Sequence, residues 1–164
     1  MNQRLRNIAF CTLSLAAAAA ASAATVSTRS IASATAVQLA QQTVAACSAD
    51  GYNVSASVLD RSGVLLAMVR ADGAGPHTVE ASRAKAFTSA SSRNPTSGIA
   101  KAIQSNPDAA GMANIPGFLV LGGGVPLKIG NETIGAIGVA GAPGGHLDEA
   151  CAQKAITTLK DQLQ

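Results

Sequence analysis

The chain has no tryptophan, four aromatic residues in 164, two histidines and only 13% charged side chains. It contains no CxxC, CxxCH or HExxH spacing, so neither a zinc ribbon, a covalent haem attachment nor a zincin helix is encoded. No GxSxG elbow marks a serine nucleophile. Three glycine-rich stretches, DGAGP, LGGGVP and GAPGG, match neither GxGxxG nor GxxxxGK[ST], and read as turns rather than as a nucleotide cradle. No period recurs, which excludes a repeat array. With 48% hydrophobic residues and little charge, a long disordered chain is excluded too. What remains is one domain's length of apolar, glycine-rich chain, with sixteen glycines for turns and close backbone approaches.

Residues 1–24 read as a secretory signal peptide. Arg4 and Arg6 form a basic start, an uncharged apolar stretch runs from Ile8 to about Ala21, and Ala21-Ser22-Ala23 or Ser22-Ala23-Ala24 suits cleavage. The stretch is short and alanine-rich where a membrane span needs about 20 strongly apolar residues, so no stable span is expected. Without Arg4 and Arg6, ten basic side chains face nine acidic ones, a net of +1. That balance offers no nucleic-acid footprint. The expected location is periplasmic or secreted. Loss of Cys11 with the leader leaves Cys47 and Cys151, an even pair in an oxidising compartment, which reads as a disulfide. The alternative is two buried thiols.

Residues 25–164 read as a single domain. Helical spacing over 31–49 aligns Ala36, Leu39, Ala40, Thr43, Val44 and Cys47. Strands are expected at Asn53–Asp60 and Val64–Arg70, joined by a turn at Arg61-Ser62-Gly63. A helix follows Pro76 and runs from His77 to about Arg93, and a shorter one starts near Thr96. Three further strands are predicted at Phe118–Leu121, Val125–Ile129 and Thr133–Ala140, where Gly135 and Gly138 leave room for a close neighbour. A last helix spans about Leu147 to Leu163. Sequential hairpins give an α+β fold, a five-stranded antiparallel sheet flanked by helices.

The helix from His77 is the chemically informative segment. At 100° per residue His77, Ala81, Ala84 and Thr88 share a face, with His77 and Thr88 about 16 Å apart along the axis. Small alanines between two polar ends make a flat strip for a planar ligand or another backbone, while Arg83 and Lys85 project elsewhere and could meet carboxylates. The plainer alternative is that His77 is solvated in the first turn and Thr88 bonds back to its own helix. His146, before the last helix, reads as a surface or capping residue.

The ordered set DGAG, RAKAFT, NPTS, GGGVP, GAIGV and DEACA, from about Ala36 to Ile156, resembles the GlcG/HbpS family of haem-binding proteins. The resemblance implies a profilin-like five-stranded antiparallel sheet and assembly into homo-oligomers. It also implies haem as cofactor and, for exported members, haem or redox sensing through a partner sensor kinase. By the same resemblance Thr88, in the KAFT segment, is a candidate oxygen ligand to haem iron, and His77 an alternative axial ligand. Arg83 and Lys85 are candidate propionate partners, Arg in particular pairing well with carboxylates. A hydroxyl is a weak iron ligand, so a haem held by oxygen should exchange readily. The scarcity of aromatics departs from a deep haem pocket, and a site at a subunit interface would accommodate that. The competing reading is an enzyme of the same fold, degrading haem or converting a small organic acid; no acid/base pair identifies one.

Overall fold

The computed structural model describes residues 24–163, so the leader assigned to 1–24 falls outside the described residues except for Ala24. Helix α1 (Ser33–Ala49) precedes a hairpin, β1 (Ser55–Asp60) and β2 (Leu65–Arg70). Helices α2 (His77–Ser92) and α3 (Thr96–Ser105) follow, then a 3-10 segment at Pro107–Asn114. A second hairpin, β3 (Gly124–Ile129) and β4 (Glu132–Ala140), leads to α4 (Gly145–Thr158) and a last 3-10 turn at Lys160–Gln162. Among the described residues the sheet has four strands in the order β2-β1-β4-β3, all antiparallel.

The fifth strand expected at Phe118–Leu121 is therefore a correction. That segment joins no ladder. It crosses α2 instead, where Leu119 N donates to Thr88 Oγ1 at 2.8 Å and the Phe118 ring meets Phe87 edge-on. A four-residue apolar run satisfied by a helix side chain has the same local pattern as one satisfied by a neighbouring strand.

The two faces of the sheet are built differently. Val54 just before β1 and Ala56 and Val58 within it, with Ile137 and Val139 of β4, join Leu39 and Ala40 of α1 and Ala152 and Ala155 of α4 in the apolar core. Alternation at period two sends these side chains to one side. The same face carries a disulfide between Cys47 of α1 and Cys151 of α4, with Cα atoms 5.3 Å apart. The pair read from the cysteine count is thus joined, tying the first helix to the last.

Under α2 the opposite face is lined by small side chains. Ser55 Oγ lies 2.7 Å from Thr78 Oγ1 and Ser57 Oγ lies 2.8 Å from Ser82 Oγ, so β1 and α2 meet through buried hydroxyl pairs. Gly138 sits opposite both Ser57 and Gly124 in the ladders. A methyl on Gly138 would collide with the Ser82 carbonyl and the Ala86 amide, and one on Gly124 with the Lys85 carbonyl. The helix backbone therefore rests directly on the strands, a close approach that only glycine allows. This seat fixes where the side chains of α2 emerge.

Candidate functional site

The seated helix α2 and the start of α4 form two walls of a cleft of about 300 Å³. His77, Ala81 and Lys85 line it from α2, the 140–144 loop and Gly145 and Asp148 from the other side, and Leu119, Leu121 and Gly122 from the crossing segment. His77, Ala81 and Lys85 follow one another at i, i+4, i+8, which puts them on one stripe of the helix. The volume is at the lower end for small-molecule sites.

At the floor of the cleft lies a buried ion pair. Lys85 Nζ is 2.8 Å from Asp148 Oδ2, with the two side chains 5% and 3% exposed. Lys85 Nζ also donates to Val139 O at 2.9 Å, and Asp148 Oδ1 accepts from Ala142 N at 3.0 Å. Asp148 thus joins α4, α2 and the glycine-rich loop, with Val139 of β4 reached through Lys85. Burial pushes its carboxyl above the ordinary carboxylate range, and the Lys85 hydrogen bond opposes that rise. Gly123, at φ +118°, brings the chain so close that an added methyl would touch Asp148 Cβ and sit 3.1 Å from Lys85 Nζ.

The four residues singled out from the sequence separate here. His77 is exposed on the cleft wall. Lys85 lies in the same wall rather than projecting elsewhere. Arg83 is exposed on another side of α2, paired with Glu80 at 3.0 Å, and is not among the cleft residues. Thr88 is fully buried: its hydroxyl donates to Ala84 O at 2.8 Å and accepts from Leu119 N. Its burial keeps it out of the cleft lining, and the crossing segment lies against its oxygen. The flat strip expected from His77 to Thr88 is replaced by a cleft that ends at Lys85.

Asp148 escaped the sequence reading. The one local signal was a carboxylate in the first turn of a helix after Gly144-Gly145, and its partner lies 63 residues away. His146 stands exposed just outside the cleft lining, as a surface residue.

A family model described as "Haem degrading protein HbpS-like" matches residues 31–157, from just before α1 to the last turn of α4. The chain belongs to the HbpS-like family. Among HbpS-like relatives, protein GlcG of Escherichia coli strain K12 is 34% identical over 114 residues, covering 65% of this chain and 84% of that one. The crystal structure of a double mutant of Streptomyces reticuli HbpS superposes with a TM-score of 0.79 at 37% identity, covering 90% of this chain and 99% of the other. A crystal structure of a PduOC–haem complex shares the fold, with a TM-score of 0.69 at 22% identity over 78% of this chain and 94% of the other. The antiparallel α+β architecture is therefore that of its relatives.

Proposed function

We propose that this protein is an exported haem-binding protein that acts as an oligomer and holds its ligand loosely in the cleft between α2 and α4. The observation that carries the reading is the exposed His77 imidazole on the wall of a cleft that also holds the Lys85 ammonium, in a chain of the HbpS-like family. The residues present fit a haem. Imidazole is a common axial ligand, Ala81, Leu119 and Leu121 offer apolar surface, and the Lys85 ammonium offers a hydrogen-bond donor to a propionate. Bound haem would supply an iron centre for ligand exchange or redox sensing. A cleft of this size does not enclose a tetrapyrrole, which favours exchange over permanent retention and leaves an open side for a second subunit.

Titration of haemin into the domain, followed by absorbance, tests this. We expect a saturable Soret change that His77→Ala shifts or weakens and that Thr88→Ala leaves in place. Unsaturable uptake indifferent to His77→Ala would remove haem from this cleft.

Export is supported by the pattern of residues 1–24 and by a disulfide suited to an oxidising compartment. Fractionation of cells expressing the full chain, with N-terminal sequencing, should find a form starting near Ala24 outside the cytoplasm. A partner sensor kinase, implied by the resemblance to exported family members, would read the loaded state. A second reading, haem degradation, is favoured by the family description alone. Incubating the haem-loaded protein with a reductant in air-saturated buffer, dioxygen being the oxidant for ring opening, distinguishes the two: loss of the Soret band with release of a linear tetrapyrrole supports turnover, and a stable band supports binding.

A further inference from the structure

The floor of the cleft has a hydrogen-bonding capacity that its own residues do not fill. An ammonium carries three donors. Two of those on Lys85 go to Asp148 Oδ2 and Val139 O, and the third has no partner among the described residues. With the side chain only 5% exposed, a partner for that donor can come only from the cleft that Lys85 lines. On the facing wall α4 begins at Gly145 with no side-chain cap, so the first-turn amide of Gly145 also lacks a partner among the described residues. It carries part of the positive charge of the helix start.

From the buried ammonium, its unfilled donor and the cavity it lines, the geometry points to a site for the carboxylate of a small monocarboxylic acid. The Lys85 ammonium and the Gly145 amide would receive the two oxygens. Ala81, Leu119 and Leu121 would cover a short apolar remainder. Asp148 sets the selectivity. Both its oxygens are engaged, by Lys85 and by Ala142 N, so the pair is nearly neutral and offers one spare donor rather than a full free cation. That suits a single carboxylate and disfavours dicarboxylates and phosphate. The carboxylate belongs either to a free acid or to the propionate of a larger ligand, and the site stands whether or not haem iron is bound by His77.

The test uses propionate as probe and the uncharged isostere propionamide as control, at constant ionic strength, with the amide signals of residues 144–146 followed by NMR. Propionate should move these signals saturably and propionamide should not. Ala81→Leu, which fills the cleft without touching the ion pair, should abolish the effect. The double variant Lys85→Met, Asp148→Asn, which leaves no unpaired charge, should weaken propionate roughly tenfold or more, the loss of a charge-assisted hydrogen bond. Unmoved amides, equal responses to acid and amide, or indifference to Ala81→Leu would overturn the proposal. A haemin titration with and without saturating propionate then identifies the source. Competition supports the carboxylate site as the seat of a haem propionate. Propionate binding without competition supports a free acid as its ligand and counts against haem in this cleft. Haemin uptake with no propionate response overturns the carboxylate site while leaving the haem reading intact.

Discussion

Replacing Gly138 by alanine is the sharpest probe of how this fold presents its cleft. The added methyl would overlap the Ser82 carbonyl and the Ala86 amide, both helix backbone, so no side-chain rotation relieves it. The helix must lift. Overpacking of this kind costs about 1–3 kcal/mol by itself. Lifting α2 also stretches the Ser55–Thr78 and Ser57–Ser82 hydroxyl pairs, each worth about 1 kcal/mol when buried. The expected loss is therefore about 3–5 kcal/mol, a drop in Tm of roughly 10–20 °C for a domain of this size. Gly98→Ala is the matched control: it lies within α3, an added methyl meets nothing within 4 Å, and alanine should stabilise by up to about 1 kcal/mol. Urea unfolding followed by far-UV circular dichroism measures both, since the chain has no tryptophan to report by fluorescence. A cost below about 1 kcal/mol for Gly138→Ala would refute the claim that α2 rests on the bare backbone of β4.

Reduction of the Cys47–Cys151 disulfide, which spans a sequence separation of 104 residues, should lower stability by about 4–5 kcal/mol on the chain-entropy account, checked by denaturation with and without reductant. Lys85→Met alone should cost about 3–5 kcal/mol because it strands a buried carboxylate, and adding Asp148→Asn should recover most of that in the same assay. Glu132 is held below its ordinary value of 4.5, first by the Arg29 hydrogen bond, so its contribution to stability is present above that value and lost as pH falls through the folded one. Glu132→Gln should flatten this acid limb of the stability profile. Asp148 has the opposite sign: its raised value means that the folded state binds the proton more readily. Its contribution therefore declines as pH rises from 3.8 through the folded value, a trend that Asp148→Asn should remove.

The apolar face of the fold was legible because it obeys simple periods. The alternation of Val54, Ala56 and Val58 and the stripe Ala36, Leu39, Ala40, Thr43 and Cys47 on α1 emerge as buried residues, with Val44 of the same stripe half-buried. The turn between β1 and β2 was legible for a local reason as well, since Asp60 Oδ1 accepts from both Ser62 N and Val64 N. The other face follows a rule that hydrophobic patterning does not see. Helix α2 buries Thr78, Ser82, Lys85, Thr88 and Ser89, polar residues that a binary reading assigns to solvent or to a ligand. Ser89 is satisfied locally by Asn94 O, whereas Thr78, Ser82, Lys85 and Thr88 have partners in β1, β4, α4 and the crossing segment, tens of residues away in the chain. Only the glycines hinted at this, and they located a close neighbour without saying which helix it was. The same distance explains the site: His77 could be found from its place at a helix start, whereas the exchange of Thr88 for the Lys85–Asp148 pair as the polar feature of the cleft depends on how α2 is turned on its glycine seat. The chemistry of the cleft is therefore a consequence of small residues in β4. Any substitution that rotates α2 should alter the ligand site before it disturbs the apolar core, because the core lies on the far side of the sheet.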